Sequence, residues 1–549
     1  MRRYVVFMSL LLIACQVFAL APARLASTPT SQQALATATI ETASPSPPTP
    51  AGEATLAQTG PVEASRTATP GATPKTRSFA ILFHPDGALY VGDLVSMEVI
   101  APSSGGFQGR KLRVTAGGPA GAEIGEAAFE PSGLGGRIQA TFVWSWDTSR
   151  LPAGDQSLTF SVQPDGPVWT ETVSLLPGGQ LPAAEAQAAW ASEESDCCLV
   201  HYLTHSAAER DLPELLVMID EQAAQVSQQM GVQLKEPLQV NLIPRLIGHG
   251  GFTGQEITLS YLDRNYIDRD PAIILHHEMV HFVDTRSGGD LKPSMLAEGL
   301  AVYLSGGHFK PEPLLPRMAA LLPPEPGCEP ALKATPAGSS LAAQARLCGL
   351  DRYIPLKELL DHFYFAQHEI GYLEGGSLVA FMVDTWGWTG FWSFYRDIHP
   401  IPRSTTPQGS EDHAPSLAVE DALGRHFGLS LAELEARFLE KLGEEQVSPE
   451  NEADIGLTIR FYDSVRRYQL LLDPSAYFLN AWLPDLEQMR QHKIIADVFR
   501  QPASPERTAL ETMFVTANAY LQQGGYAQTE RLLEAIDGLL NGLTADGTR

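Results

Sequence analysis

The chain has 549 residues, 38 basic against 64 acidic side chains, and a net charge of −26. At roughly 100–200 residues per domain this length predicts two to four folded units, and an apolar fraction of 44 % is enough to give them real cores. The acidic balance argues against nucleic acid as a partner, because phosphate binding draws its affinity from clustered Lys and Arg.

Residues 1–25 read as an export signal: Met1-Arg2-Arg3, then an almost unbroken apolar run from Tyr4 to Leu20. Within it, Leu12-Ile13-Ala14-Cys15 resembles the bacterial lipoprotein box, whose cysteine carries lipid after cleavage. Cleavage near Ala21-Pro22-Ala23 with secretion, and retention as an uncleaved membrane anchor, stay open beside it. All three place the remainder outside the cytoplasm, as a cell-surface lipoprotein, a membrane-anchored protein or a secreted one. Four further cysteines, Cys197, Cys198, Cys328 and Cys348, allow three pairings in that oxidising compartment. A Cys328 to Cys348 bond would staple the Pro/Ala/Gly-rich stretch between them and is preferred. A bond between the neighbours Cys197 and Cys198 is expected to be strained, so cross-pairing of the two sets stays open.

Residues 26–76 are Ser, Thr, Ala and Pro with hardly a large apolar side chain, which predicts a disordered tether. Over residues 77–178 short alternating runs, such as LVSMEVIA, KLRVTAG and IQATFVWSW, are separated by Gly/Pro/Asp turns. About six or seven strands in that span predict a small all-β sandwich of immunoglobulin-like type, serving as spacer or docking module. Mixed α/β character occupies residues 183–442. It holds a helix over Glu209–Met230, a buried strand over Leu238–Ile243, a hairpin over Gly250–Tyr261 and a helix over Pro271–Asp284. Residues 443–549 read as helices to the end. One stretch, Ala517 to Leu533, is spaced like a single tetratricopeptide repeat, but no second copy follows.

The chemistry concentrates in His276-His277-Glu278-Met279-Val280-His281. Four residues is about one helical turn, so His277 and His281 share a face and can reach one ion, with Glu278 beside it as a base for an activated water. With 14 His in 549 residues, chance supplies on the order of 0.02 such matches per chain, so the motif is a signal. The apolar neighbours Ile273, Ile274, Leu275, Val280 and Phe282 place it on a buried helix. A second apolar helix, Met295-Leu-Ala-Glu298-Gly-Leu-Ala-Val-Tyr303, carries one acid. A buried carboxylate needs a partner, and a cation on His277 and His281 supplies it.

HExxH followed by E-G-L-A-x-Y resembles the gluzincins, zinc metallopeptidases of the MA clan. The resemblance covers about Cys198 to Leu442 and implies a zincin-like α+β domain with Glu298 as third zinc ligand. Met295 stands where that clan's peptidase-MA-like families often have Trp. Ile370-Gly-Tyr372-Leu-Glu-Gly375 is similar to the clan's Y-x-x-G helix start, which implies that Tyr372 donates to the developing oxyanion. It further implies a peptide or protein substrate paired along the strand near Glu256–Tyr261, and an exported zinc-dependent hydrolase of peptide bonds with Glu278 as general base. The rival expectation is a catalytically silent surface binding or adhesion protein; hydrolysis of a cell-wall peptide or a non-peptide amide also stays open. His276 is expected to be structural and Asp284 either to orient an imidazole or to be a plain helix-end acid. His249 reads as a turn residue, and His362 and His368 have no assignable role. The whole is a multidomain chain: β-sandwich, zincin-like α+β unit, all-α C-terminal region.

Overall fold

Alternation of apolar and polar side chains builds the first two sheets. One has the order β1 (Ala80–His84), β3 (Leu94–Ile100), β7 (Arg137–Asp147), β6 (Glu130–Ser132). The other runs β2 (Leu89–Tyr90), β9 (Val168–Leu176), β8 (Gly154–Gln163), β4 (Lys111–Ala116), β5 (Ala122–Ala128). Val95, Met97 and Val99 on β3 and Leu158, Phe160 and Val162 on β8 occur at every second position, and they meet with Leu112, Phe142 and Trp146 in one core. The strands that the sequence pattern misses, β2, β5 and β6, all lie at sheet edges, where half-exposed stretches such as AEIGEAA carry little alternation. On the opposite side of β3, buried Glu98 accepts from Gln139 Nε2 at 2.7 Å and Arg137 Nη2 at 3.2 Å, and pairs with His84 Nε2 at 3.0 Å. That network ties β1, β3 and β7 together.

This computed structural model describes residues 79–546 apart from 103–104, 119, 133–136, 235, 245–249, 268–269, 323–352, 367, 402–413, 473–484 and 501–503. The expected signal and tether, Cys15, Cys328, Cys348 and His249 lie outside the described residues. Among the described residues no helix is long and apolar enough to cross a membrane.

The third sheet has the order β10 (Trp190–Glu194), β11 (Cys198–Leu203), β12 (Leu238–Ile243), β14 (Ile257–Ser260), β13 (Gly251–Thr253). Its three central strands are parallel and its two edge strands antiparallel. After the short helices α1 (Ala183–Gln187) and α2 (Ala207–Arg210), α3 (Leu212–Met230) makes the crossover that a parallel pair requires. The strand expected to receive substrate, near Glu256–Tyr261, is β14, and it is not free to do so. β12 and β13 flank it on both sides; the edge is β13. Cys197 and Cys198 are bonded to each other at the start of β11, which overturns cross-pairing of these two with Cys328 and Cys348.

Five helices follow the sheet in the chain: α4 (Pro271–Arg286), α5 (Ser294–Ser305), α6 (Leu314–Ala319), α7 (Leu356–His362) and α8 (His368–Arg396), the last broken at Gly387 with φ 71°. The remainder is helical: α9 (Pro415–Phe427), α10 (Leu431–Glu444), α11 (Pro449–Leu472), α12 (Leu486–His492), α13 (Ala496–Phe499), α14 (Pro505–Gln522) and α15 (Tyr526–Asp546). Phe438, Phe461, Tyr468 and Phe514 from these helices share a core with Met279 and Leu300. Helices α12 and α13 also bridge the sheets. Arg490 pairs with Glu256 at 2.5 Å, Trp190 Nε1 donates to the Ile494 carbonyl at 2.8 Å, and Trp144 Nε1 donates to Asp497 at 2.9 Å.

Candidate metal centre

Helix α4 starts at Asp270, whose side chain accepts from the Ala272 amide, with Pro271 at its first position. Ile274, Leu275, Met279 and Val280 bury it in the core, and that fixes where the histidines point. One turn apart, the His277 and His281 rings meet edge to face with centroids 4.6 Å apart.

Helix α5 brings Glu298 to them because it touches α8 backbone to backbone. A Cβ on Gly299 would lie 2.4 Å from the Gly375 carbonyl, and one on Gly375 would lie 2.7 Å from the Met295 carbonyl oxygen. The glycine of E-G-L-A and that of Y-x-x-G are thus the two sides of one contact. As a result His281 Nε2 is 3.0 Å from both His277 Nε2 and Glu298 Oε2, and His277 Nε2 is 3.2 Å from the same oxygen. Donors on a tetrahedral ion with bonds of about 2.1 Å sit about 3.4 Å apart, so this set fits a zinc-sized ion after a small expansion. Together they form a group that can hold a metal ion.

The electrostatics agree. Burial alone would raise the Glu298 carboxyl, but His281 and His277 hold it well below the usual carboxylate range. Burial alone would depress His281, yet Glu298 lifts it. Burial depresses His277 to about 4. The trio therefore carries a carboxylate that demands a cation, met by a proton on His281 or by a metal in its place. The other Glu298 oxygen accepts from the Tyr364 hydroxyl at 3.1 Å, which leaves Oε2 aimed at the imidazoles. Among the described residues, the buried His277 Nδ1 has no hydrogen-bond partner.

Glu278 is buried, and burial pushes its carboxyl up to about 7 against the opposing pull of His281 and a hydrogen bond from Thr253. Thr253 Oγ1, on edge strand β13, lies 2.8 Å from both the Glu278 carbonyl oxygen and Oε2. Tyr372 lies beside the trio: its ring is 6.1 Å from that of His277 and stacks on His308 at 3.9 Å. Burial and the nearby Glu298 keep its hydroxyl firmly protonated, and that hydroxyl makes no hydrogen bond among the described residues.

No family model matches this chain, and no curated protein matches it. Among solved structures, that of IMPa from Pseudomonas aeruginosa in complex with an O-glycopeptide matches with 11 % identity and a TM-score of 0.19. The match covers 78 % of this chain and 52 % of the other, so this chain spans about half of that one's length. A TM-score that low says nothing of shared fold or chemistry, and the residues themselves carry the function.

Asp284 orients no imidazole among the described residues. It accepts from Lys292 Nζ and the Tyr395 hydroxyl, each at 2.8 Å, because it emerges on the α8 side of α4. His276 points to α3, where Gln222 and Gln229 engage its two ring nitrogens at 2.8 Å. His362 ends α7. His368, left without a role by the sequence, joins His308 and Glu369. Sequence reasoning misses Thr253, Tyr364 and His308 altogether. None has a motif spacing, and each arrives from a separate element; only the unbroken Gly306-Gly307-His308 just past the E-G-L-A helix offered a hint.

Proposed function

We propose that the chain is an exported, zinc-dependent metallopeptidase of gluzincin type, with residues 183–442 as its zincin-like catalytic domain. In this reading residues 77–178 form an immunoglobulin-like spacer at the cell surface and residues 443–549 a helical cap. The observation that carries it is the convergence of His277, His281 and Glu298 beside Glu278. Two imidazoles and one carboxylate would hold the ion and leave a position open. When bound, zinc would acidify a water and polarise a carbonyl.

The chain's own groups do the rest. Glu278, held by Thr253, takes the water's proton and delivers it to the leaving amine. The protonated Tyr372 hydroxyl donates to the oxygen that gains charge, a stabilisation worth about 2.7–4 kcal/mol for one well-placed donor. Tyr364 keeps Glu298 turned toward the imidazoles. Among the described residues strand β13 is the edge of its sheet next to Glu278, so an extended peptide can add to it by backbone hydrogen bonds. The test is a broad peptide library with zinc-replete full chain and its Glu278→Gln variant. The wild type is expected to cleave and the variant to keep its zinc but lose cleavage. A zinc-loaded wild type that cleaves nothing would refute the reading and favour a surface binding protein.

A further inference from the structure

The trio at Glu298 is not alone in its chemistry. His308, on the turn after α5, and His368 and Glu369, in the first turn of α8, bring a second set of two imidazoles and one carboxylate together. His308 Nδ1 is 3.1 Å from Glu369 Oε1, and His368 Nε2 is 3.8 Å from the same oxygen. All three ligand atoms lie within 4.8 Å of one another. These spacings bracket the roughly 3.4 Å edge of a tetrahedral site with bonds of about 2.1 Å.

Charge points the same way. His308 and Glu369 are each 6 % exposed, so an anionic Glu369 needs a counter-charge. Lys310 is close enough for its charge to act on Glu369, but its direct ion pair is with Asp454 at 2.5 Å, and Arg317 pairs with Glu312 and with Asp454. Among the described residues no Lys or Arg reaches Glu369 within ion-pair distance. Its charged-capable contacts are the two imidazoles, the donor set that transition-metal ions of the zinc class favour.

We propose that His308, His368 and Glu369 form a second divalent-metal site, filled by zinc, separate from the His277, His281 and Glu298 site. The two are one aromatic layer apart. The His308 ring is 5.8 Å from that of His277, and Tyr372 stacks on His308 with an angle of 5° between the planes. An ion on His308 fixes that ring, and through the stack it fixes Tyr372 against the first site. The second ion thus has a positioning role and needs no place in the hydrolytic step.

The test counts metal and needs no substrate, so its failure is separable from failure of the peptidase reading. Full-length protein is stripped with chelator, reloaded with zinc, freed of excess and assayed by plasma mass spectrometry. Wild type is expected to hold about two equivalents. His308→Ala and His277→Ala are each expected to hold about one, and the double variant none. A wild-type count of one or fewer overturns the second site, as does a His308→Ala count equal to wild type. Should His308→Ala fail to fold, by far-ultraviolet circular dichroism, the His277→Ala chain decides: one equivalent supports the site and none overturns it.

Discussion

Replacing Gly299 by alanine isolates the contact that sets the metal trio. The new Cβ would sit 2.4 Å from the Gly375 carbonyl carbon and oxygen, where ordinary contact begins at 3.4 Å. The helices must therefore separate by 3.4 − 2.4 = 1.0 Å, and because the obstructing atoms are backbone, no side chain can swing aside to absorb it. Overpacking of this kind costs about 1–3 kcal/mol. Glu298 is the adjacent residue, so a shift of α5 moves it as well. Its Oε2, now 3.0 and 3.2 Å from the two imidazoles, would open by a sizeable part of that displacement. Misplacement of a reacting group by about 1 Å costs on the order of 100-fold in rate. The assay is urea unfolding together with a competitive zinc titration. Gly424→Ala on α9 serves as the control, since a Cβ there meets nothing within 4 Å and alanine gains up to about 1 kcal/mol of helix propensity. Gly299→Ala is expected to unfold earlier and to bind zinc at the first site more weakly. If it matches the control in both, the helix contact does not position Glu298.

Thr253→Val keeps the shape of β13 but removes the donor to Glu278; at about 1.5–3 kcal/mol for a hydrogen bond to a charged group, kcat on a cleaved peptide is expected to fall about 10–100-fold with metal content unchanged. Tyr364→Phe removes the donor to Glu298 Oε1, and loss of such an outer contact weakens metal affinity by about 10–100-fold, readable by chelator competition. In the first sheet, burial would raise Glu98, but its bonds to His84 and Gln139 and the charge of Arg137 hold its carboxyl below the ordinary value of 4.5. The group is depressed on folding, so its stabilisation is complete above that value and lost as pH falls through the folded pKa. Unfolding midpoints of wild type and Glu98→Gln are expected to differ at pH 7 and to converge in the acid range below 4.5; a gap that does not shrink would contradict the network.

What the sequence reveals here depends on how local the signal is. His277 and His281 sit one helical turn apart with Glu278 beside them, and the apolar residues around them announce a buried helix, so the motif and its helix are legible together. Leu238–Ile243 is legible because Leu238, Val240 and Leu242 alternate with Gln239 and Asn241 over a strand-length run. Which strand forms the edge of that sheet is not legible. The Glu256–Tyr261 run alternates well, but its neighbours are chosen by the crossover of α3 and the return of β13, far from any local pattern. Tyr364 and Thr253 are silent for the same reason: a tyrosine in a Phe-Tyr-Phe turn and a threonine on a short strand acquire meaning only when α8 and the third sheet close around α4. Gly299 and Gly375 were visible as motif letters, while the reason for them, a shared helix contact, needed both helices in place. The adjacent cysteines mislead in the other direction, since strain made their mutual bond the less favoured expectation, yet they are bonded to each other.

The most direct measurement is an anomalous difference map at the zinc edge from crystals of the zinc-loaded full chain. The account predicts a peak bounded by His277 Nε2, His281 Nε2 and a Glu298 carboxylate oxygen, with Glu278 beside it and off the metal. Zinc-replete crystals with no anomalous density between those three side chains would contradict it.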